Sequence, residues 1–124
     1  MTHPSSEART DDDATLADLK AAMEAFVAER NWEAYHQPKN LAGSIAIEAA
    51  ELMELFQWDP VQQPPKIIGD EAKMQRIREE LSDVLAYTLA MANRLDIDLS
   101  SAFTAKMVMN REKYPVGSED FKKG

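Results

Sequence analysis

Four acidic residues stand as two pairs at i, i+3 spacing, Glu48 with Glu51 and Glu80 with Asp83, each inside an apolar run. On a helix, positions three apart share a face, so each pair sets two carboxylates side by side, where they repel unless a cation joins them. Local cations are missing. No Lys or Arg occurs between residues 40 and 65 or between Arg78 and Arg94, and only Glu80 has a basic residue one turn away, Arg76. The neutralising charge must come mostly from elsewhere. Four carboxylates without cysteine point to a hard divalent ion, Mg²⁺ or Mn²⁺, which leaves coordination positions for water and substrate phosphate. Only His3 and His36 are present, and neither follows an acid by three in the apolar helical runs, so the Glu-x-x-His pattern of di-iron bundles is absent there. Such an ion neutralises phosphate charge and acidifies a bound water, which suits hydrolysis of a phosphoanhydride.

Aromatic residues gather near the acids. Trp32, Tyr35 and His36 precede the first pair, Trp58 follows it, and Tyr87 lies one turn beyond Asp83. An aromatic platform stacks on a nucleobase, while His36, Gln37 and Asn40 offer groups to read its edge. Lys106, Asn110, Arg111 and Lys113, at helical spacing, are candidate clamps for anionic oxygens.

The elements that must position these groups are helical, because no segment alternates with period two for long enough to be a strand. Thr15 and Asp18 have the spacing of a capping box at the start of a first helix, which carries Leu16, Leu19, Met23, Phe26 and Val27 on one face to about Arg30. Asn40 is the expected N-cap of a second helix over residues 41–57, with Leu41, Ile45, Ala49, Leu52 and Phe56 as its buried stripe and Glu48 and Glu51 on the border. Residues 58–69, with three prolines and Gly69, read as a loop. The longest helix spans residues 70–95, its stripe formed by Met74, Ile77, Leu81, Val84, Leu85, Thr88, Ala92 and Leu95. A last helix covers residues 99–113, with Ala102, Phe103, Lys106, Met107 and Asn110 as repeating positions, and Tyr114-Pro115 ends it. Antiparallel packing of the second helix on the longest one would bring the two acidic pairs face to face.

The fold class is therefore all-α, a four-helix-type bundle. Ile47, Leu55 and Met91 are apolar but off the main stripes, which predicts a homo-oligomer, a dimer or a dimer of dimers. With 124 residues, one domain over residues 14–115 is expected, between a disordered tail, residues 1–13, and a polar one, residues 116–124. A net charge of −8 and a pI near 4.7 disfavour nucleic acid and anionic membranes as partners. No signal-peptide core or membrane-spanning run is present, so a cytoplasmic location is the default.

The strings NWEAYHQPKNLAGSIAIEAAELMELFQW (residues 31–58), EELSDVLAYTL (79–89) and KMVMNREKYP (106–115) resemble the MazG-like all-α nucleotide pyrophosphohydrolases, and most closely their dCTP pyrophosphatase branch. The resemblance covers roughly residues 15–115, and the family's ExxE...ExxD motif is met by Glu48, Glu51, Glu80 and Asp83. It implies Mg²⁺-dependent conversion of a nucleoside triphosphate to monophosphate and pyrophosphate, by water attack at the α-phosphate, in a tetramer. It also places Trp32, Glu33, Ala34, Tyr35, His36, Trp58 and Tyr87 at nucleotide-binding positions. Met23 stands where animal members of the branch carry a histidine, so the cytosine preference is not implied as firmly as the hydrolysis. The same chemistry on other canonical or non-canonical nucleotides is the alternative. A non-catalytic helical oligomerisation module is a more distant one.

Overall fold

Thr15 begins the first helix as the spacing predicts: its hydroxyl accepts from the Asp18 amide while the Asp18 carboxylate accepts from the Thr15 amide. The computed structural model describes residues 9–117. They form α1 (Leu16–Glu29), a 3-10 turn (Glu33–Tyr35), α2 (Pro38–Gln57), a short α3 (Pro64–Ile68), α4 (Glu71–Arg94) and α5 (Leu99–Lys113). Among the described residues no strand is present, and the architecture is all-α.

Both α1 and α4 close through a left-handed residue, Asn31 (φ 56°) and Asp96 (φ 53°), types whose short polar side chains tolerate that conformation. In each case the next amide reaches back five residues, Trp32 to the Val27 carbonyl at 3.0 Å and Ile97 to the Ala92 carbonyl at 2.9 Å. Chain reversal after α1 thereby delivers Trp32 and the 3-10 turn to the start of α2.

Three boundaries differ from expectation. The cap of α2 is Gln37, because Pro38 takes the first helical position, where its missing N–H costs nothing and its fixed φ suits the helix. Asn40 lies inside α2 and donates instead to the Tyr35 carbonyl at 3.3 Å. The proline-marked loop contains α3, again begun by a proline at its first position. The end of the N-terminal tail is folded: Arg9 pairs with Asp18 at 3.1 Å, and residues 10–13 form a turn sealed by the Thr10 amide on the Asp13 carboxylate. Residues 1–8 and 118–124 of the expected tails lie outside the described residues.

The principal packing is α2 against α4, with α1 and the short α3 also laid on α4. Lys73, near the start of α4, donates to the Leu55 carbonyl at the end of α2, and Arg94, at the end of α4, donates to the His36 carbonyl just before α2. The two long helices are thus antiparallel. Val27, Leu41, Leu89, Ala90 and Ala92 are buried where the end of α1, the start of α2 and the end of α4 meet. Elsewhere the apolar stripes are only partly covered. Ala49, Leu81, Leu85 and Leu95 are exposed rather than buried, and off-stripe Ile47 is 60% exposed. On α5 only Leu99, Met107 and Asn110 are half-buried, while Ala102, Phe103 and Lys106 face outward. A single chain has no second layer to cover these faces.

Candidate metal centre and its flanking clefts

Midway along the α2–α4 seam, beyond the buried core, one carboxylate oxygen from each of Glu48, Glu80 and Asp83 lies within 4.8 Å of the others. Glu48 and Glu80 are half-buried and Asp83 is exposed. Ligand oxygens around a divalent ion sit roughly 3–4 Å apart at bond lengths of about 2.0–2.6 Å, so small side-chain rotations suffice to close a shell. Glu51 is exposed and outside this trio, but its carboxyl stands within hydrogen-bonding reach of both Glu48 and Glu80.

Electrostatics mark the cluster as unbalanced. Burial, then the hydrogen bond and charge of Glu51, then the charges of Asp83 and Glu80, push the Glu48 carboxyl up to about 7. Glu80 is also raised, first by burial and then by Glu51 and Asp83. Among the described residues none of the four acids forms an ion pair, and Arg76, the basic residue one turn before Glu80, pairs with none of them. The Oε2 atoms of Glu48 and Glu80 are buried and accept no hydrogen bond. A buried carboxylate oxygen left without a donor is costly, and a cation on the site removes that cost. The donor set is all oxygen, which fits a hard divalent ion.

Two clefts flank Tyr87, one turn past Asp83. On the α2 side a cleft of about 320 Å³ is lined by Trp32, Tyr35, His36, Asn40, Ser44 and Tyr87. His36 is buried at 7% exposure, its ring 6.5 Å from that of Tyr87. Burial and the neighbouring Arg94 hold its pKa below the ordinary histidine value, against an opposing effect of Glu33. On the α1 side a more apolar groove of about 460 Å³ shares Trp32 and Tyr87 and adds Asp83, Met23, Phe26 and Leu89. Trp32 meets Phe26 edge to face at 5.6 Å, and the Arg30 guanidinium lies 3.8 Å above the Phe26 ring, which fixes the platform from behind.

The structure thus groups Glu48, Glu51, Glu80 and Asp83, and beside them Trp32, Tyr35, His36 and Tyr87. Glu33 and Ala34 lie exposed on the 3-10 turn, Ala34 contributing its carbonyl to Gln37 at 3.3 Å. Trp58 lines neither cleft. It ends α2 with its side chain 85% exposed. Lys106, Asn110 and Arg111 sit on α5, which does not share the extensive packing of the seam. Ser44 and Leu89, unlike Met23, are not marked as site residues by their type. Ser44 had a usable signal, since it precedes Glu48 by one helical turn.

The chain is an all-α bundle whose two longest helices bring carboxylates together beside aromatic clefts, an arrangement suited to a divalent ion. Sequence comparison places it more narrowly: the chain belongs to the MazG-like family, whose profile matches residues 44–123. It is 43% identical over 102 residues to dCTP pyrophosphatase 1 of Bos taurus, covering 82% of this chain and 60% of that protein. For dCTP pyrophosphatase 1 of Homo sapiens the identity is 43% over 101 residues, with 82% and 59% covered. The chain therefore spans about 60% of the length of these relatives. The crystal structure of a pyrophosphatase from Archaeoglobus fulgidus superposes with a TM-score of 0.71 at 34% identity, over 88% of this chain and 99% of that one.

Proposed function

We propose that this protein is a Mg²⁺-dependent nucleoside triphosphate pyrophosphohydrolase that converts dCTP, or a modified deoxycytidine triphosphate, to the monophosphate and pyrophosphate. The observation that carries this reading is the convergence of Glu48, Glu80 and Asp83, with two buried oxygens lacking any donor. Glu48, Glu80 and Asp83 would hold the ion, with Glu51 completing the acidic wall. When bound, Mg²⁺, or Mn²⁺ in its place, supplies charge neutralisation for the phosphates and acidifies water. Tyr87 follows Asp83 by one turn, so a base held by Trp32, Tyr35, His36 and Tyr87 leaves its phosphates reaching toward the carboxylates. The relatives' names, dCTP pyrophosphatase 1, support the substrate assignment.

The uncovered faces of α2, α4 and α5 support a homo-oligomer, a tetramer built as a dimer of dimers. Trp58, Lys106, Asn110 and Arg111 complete the proposed nucleotide-binding set. One domain over residues 14–115 and a cytoplasmic setting complete the reading. Among the described residues no helix is long and apolar enough to cross a membrane.

Met23 in the apolar groove favours a second reading, the same hydrolysis on other nucleoside triphosphates. Comparing kcat/KM across a nucleotide panel separates the two. Pyrophosphate release that requires Mg²⁺ and is lost in Glu48→Gln supports the proposal. Release of single phosphate, or no turnover of any nucleotide despite Mg²⁺ binding, rejects it in favour of a structural module.

A further inference from the structure

We infer that Arg94 is a positioning residue for the nucleotide cleft: by donating to the His36 carbonyl it locks the turn carrying Trp32, Tyr35 and His36 onto the end of α4. The inference rests on the cleft being the nucleotide site. The Arg94 Nε to His36 O distance is 3.0 Å across 58 residues of sequence. Among the described residues the other hydrogen bonds that hold residues 31–37 are local. They run from Asn31 to Ala28, Trp32 to Val27, Tyr35 to Trp32, His36 to Glu33, Gln37 to Ala34, Asn40 to Tyr35 and Leu41 to Gln37, each spanning five residues or fewer. Local bonds shape the turn but do not place it on the bundle. Arg94 supplies that placement from the last turn of α4, where the helix dipole favours a cation.

The clamp also acts on the His36 ring. Arg94 lines a cavity of about 140 Å³ together with Glu24, Glu33, Asn93 and His36, on α1, the turn and α4. His36 also lines the larger cleft beside Tyr87, so its imidazole stands between the two. Among the described residues that imidazole makes no hydrogen bond of its own, and its ring nitrogens are not among the fully buried unpaired polar atoms. A neutral imidazole offers one donor and one acceptor, the equipment to read a base edge. Burial and the Arg94 charge both favour that neutral form, while Glu33 opposes it. Loss of Arg94 therefore frees the turn and raises the His36 pKa.

The test uses the full chain with Arg94→Met, which keeps the stem and loses the donor, and Arg94→Lys, which keeps a charged donor. Pyrophosphate release from dCTP with Mg²⁺ gives KM and kcat. Trp fluorescence gives the Kd of a nonhydrolysable dCTP analogue. NMR gives the His36 titration and amide exchange at Tyr35 and His36. Expected for Arg94→Met are KM and Kd about five- to tenfold higher with kcat within about twofold, faster exchange at the turn and a higher His36 pKa. Arg94→Lys should recover most of the loss. Should Arg94→Met not fold, Arg94→Gln replaces it under the same criteria. KM and Kd within about twofold of the parent, a fall in kcat alone, or Arg94→Lys as impaired as Arg94→Met would overturn the inference. If the parent hydrolyses no nucleotide, the proposed activity fails, while analogue affinity and turn exchange still decide the role of Arg94.

Discussion

The α2–α4 seam treats charge in opposite ways along its length. Near the end of α2, half-buried Lys73 donates to the Leu55 carbonyl at 2.6 Å, pairs with the Asp59 carboxylate and lies 5.1 Å from the centre of the Phe56 ring. The hydrogen bond from Lys73 holds Asp59 below the usual carboxylate range, with the Val61 amide adding to it. Midway along the same seam, three carboxylates converge with no basic side chain paired to them among the described residues, and Glu48 is driven up to about 7. The two helices therefore have the means to balance a partly buried charge from within, and do so where structure alone is at stake. Where they do not, the unbalanced carboxylates are the ones proposed to hold Mg²⁺.

The sharpest way to break this contrast is to remove a charge from each region. Asp83→Asn should lower Mg²⁺-dependent pyrophosphate release by about 10³-fold, the scale of a lost electrostatic contact at a reacting centre, with the melting temperature unchanged or raised. Mg²⁺ at about a hundred times its Kd should stabilise the parent protein by about 2.7 kcal/mol, and Asp83→Asn should abolish that gain in a thermal melt. Lys73→Met should do the reverse. Losing the donor to the Leu55 carbonyl and the partner of Asp59 should lower stability in urea unfolding, while kcat/KM of the folded fraction stays within about twofold because nothing at the carboxylates has moved. A Lys73 variant that lost turnover without losing stability would erase the distinction between the two regions.

Much of this was legible in the sequence because the signals were local. The Thr15–Asp18 capping box, the 3.6-residue stripes and the paired acids on stripe borders are set by spacing within one helix, and the structure reproduces the box, groups the acids and covers the stripes in part. Pairing of the two acidic segments across a seam needs only that the two helices run antiparallel, as they do. What was not legible depended on distant partners or on proline's double meaning. Pro38 reads as a break but starts α2, and Pro64 starts a short helix within an apparent loop. Leu81 and Phe103 lie on stripes yet stay exposed, because a periodic pattern shows that a face seeks cover without saying which chain provides it. Arg94 carries no motif, and its bond to His36 exists only once 58 residues have folded back.

The smallest expected effect tests the direction of the imbalance. A carboxyl whose folded-state pKa lies above its unfolded one binds more protons when folded, so it adds stability below its unfolded value that is lost as pH rises toward the folded value. For Glu48 the window runs from the ordinary 4.5 to about 7. Metal-free protein should therefore carry an electrostatic penalty at pH 8 that is absent at pH 4.5. Glu48→Gln removes the charge while keeping the shape, so it should stabilise the metal-free protein at pH 8, by about 1 kcal/mol after discounting for solvent screening, and by nearly nothing at pH 4.5. With saturating Mg²⁺ the order at pH 8 should invert, because the parent gains binding energy that the variant cannot. Urea unfolding at both pH values, with and without the ion, reads all four states. An equal effect of Glu48→Gln at both pH values would mean that the carboxylates do not strain the metal-free seam.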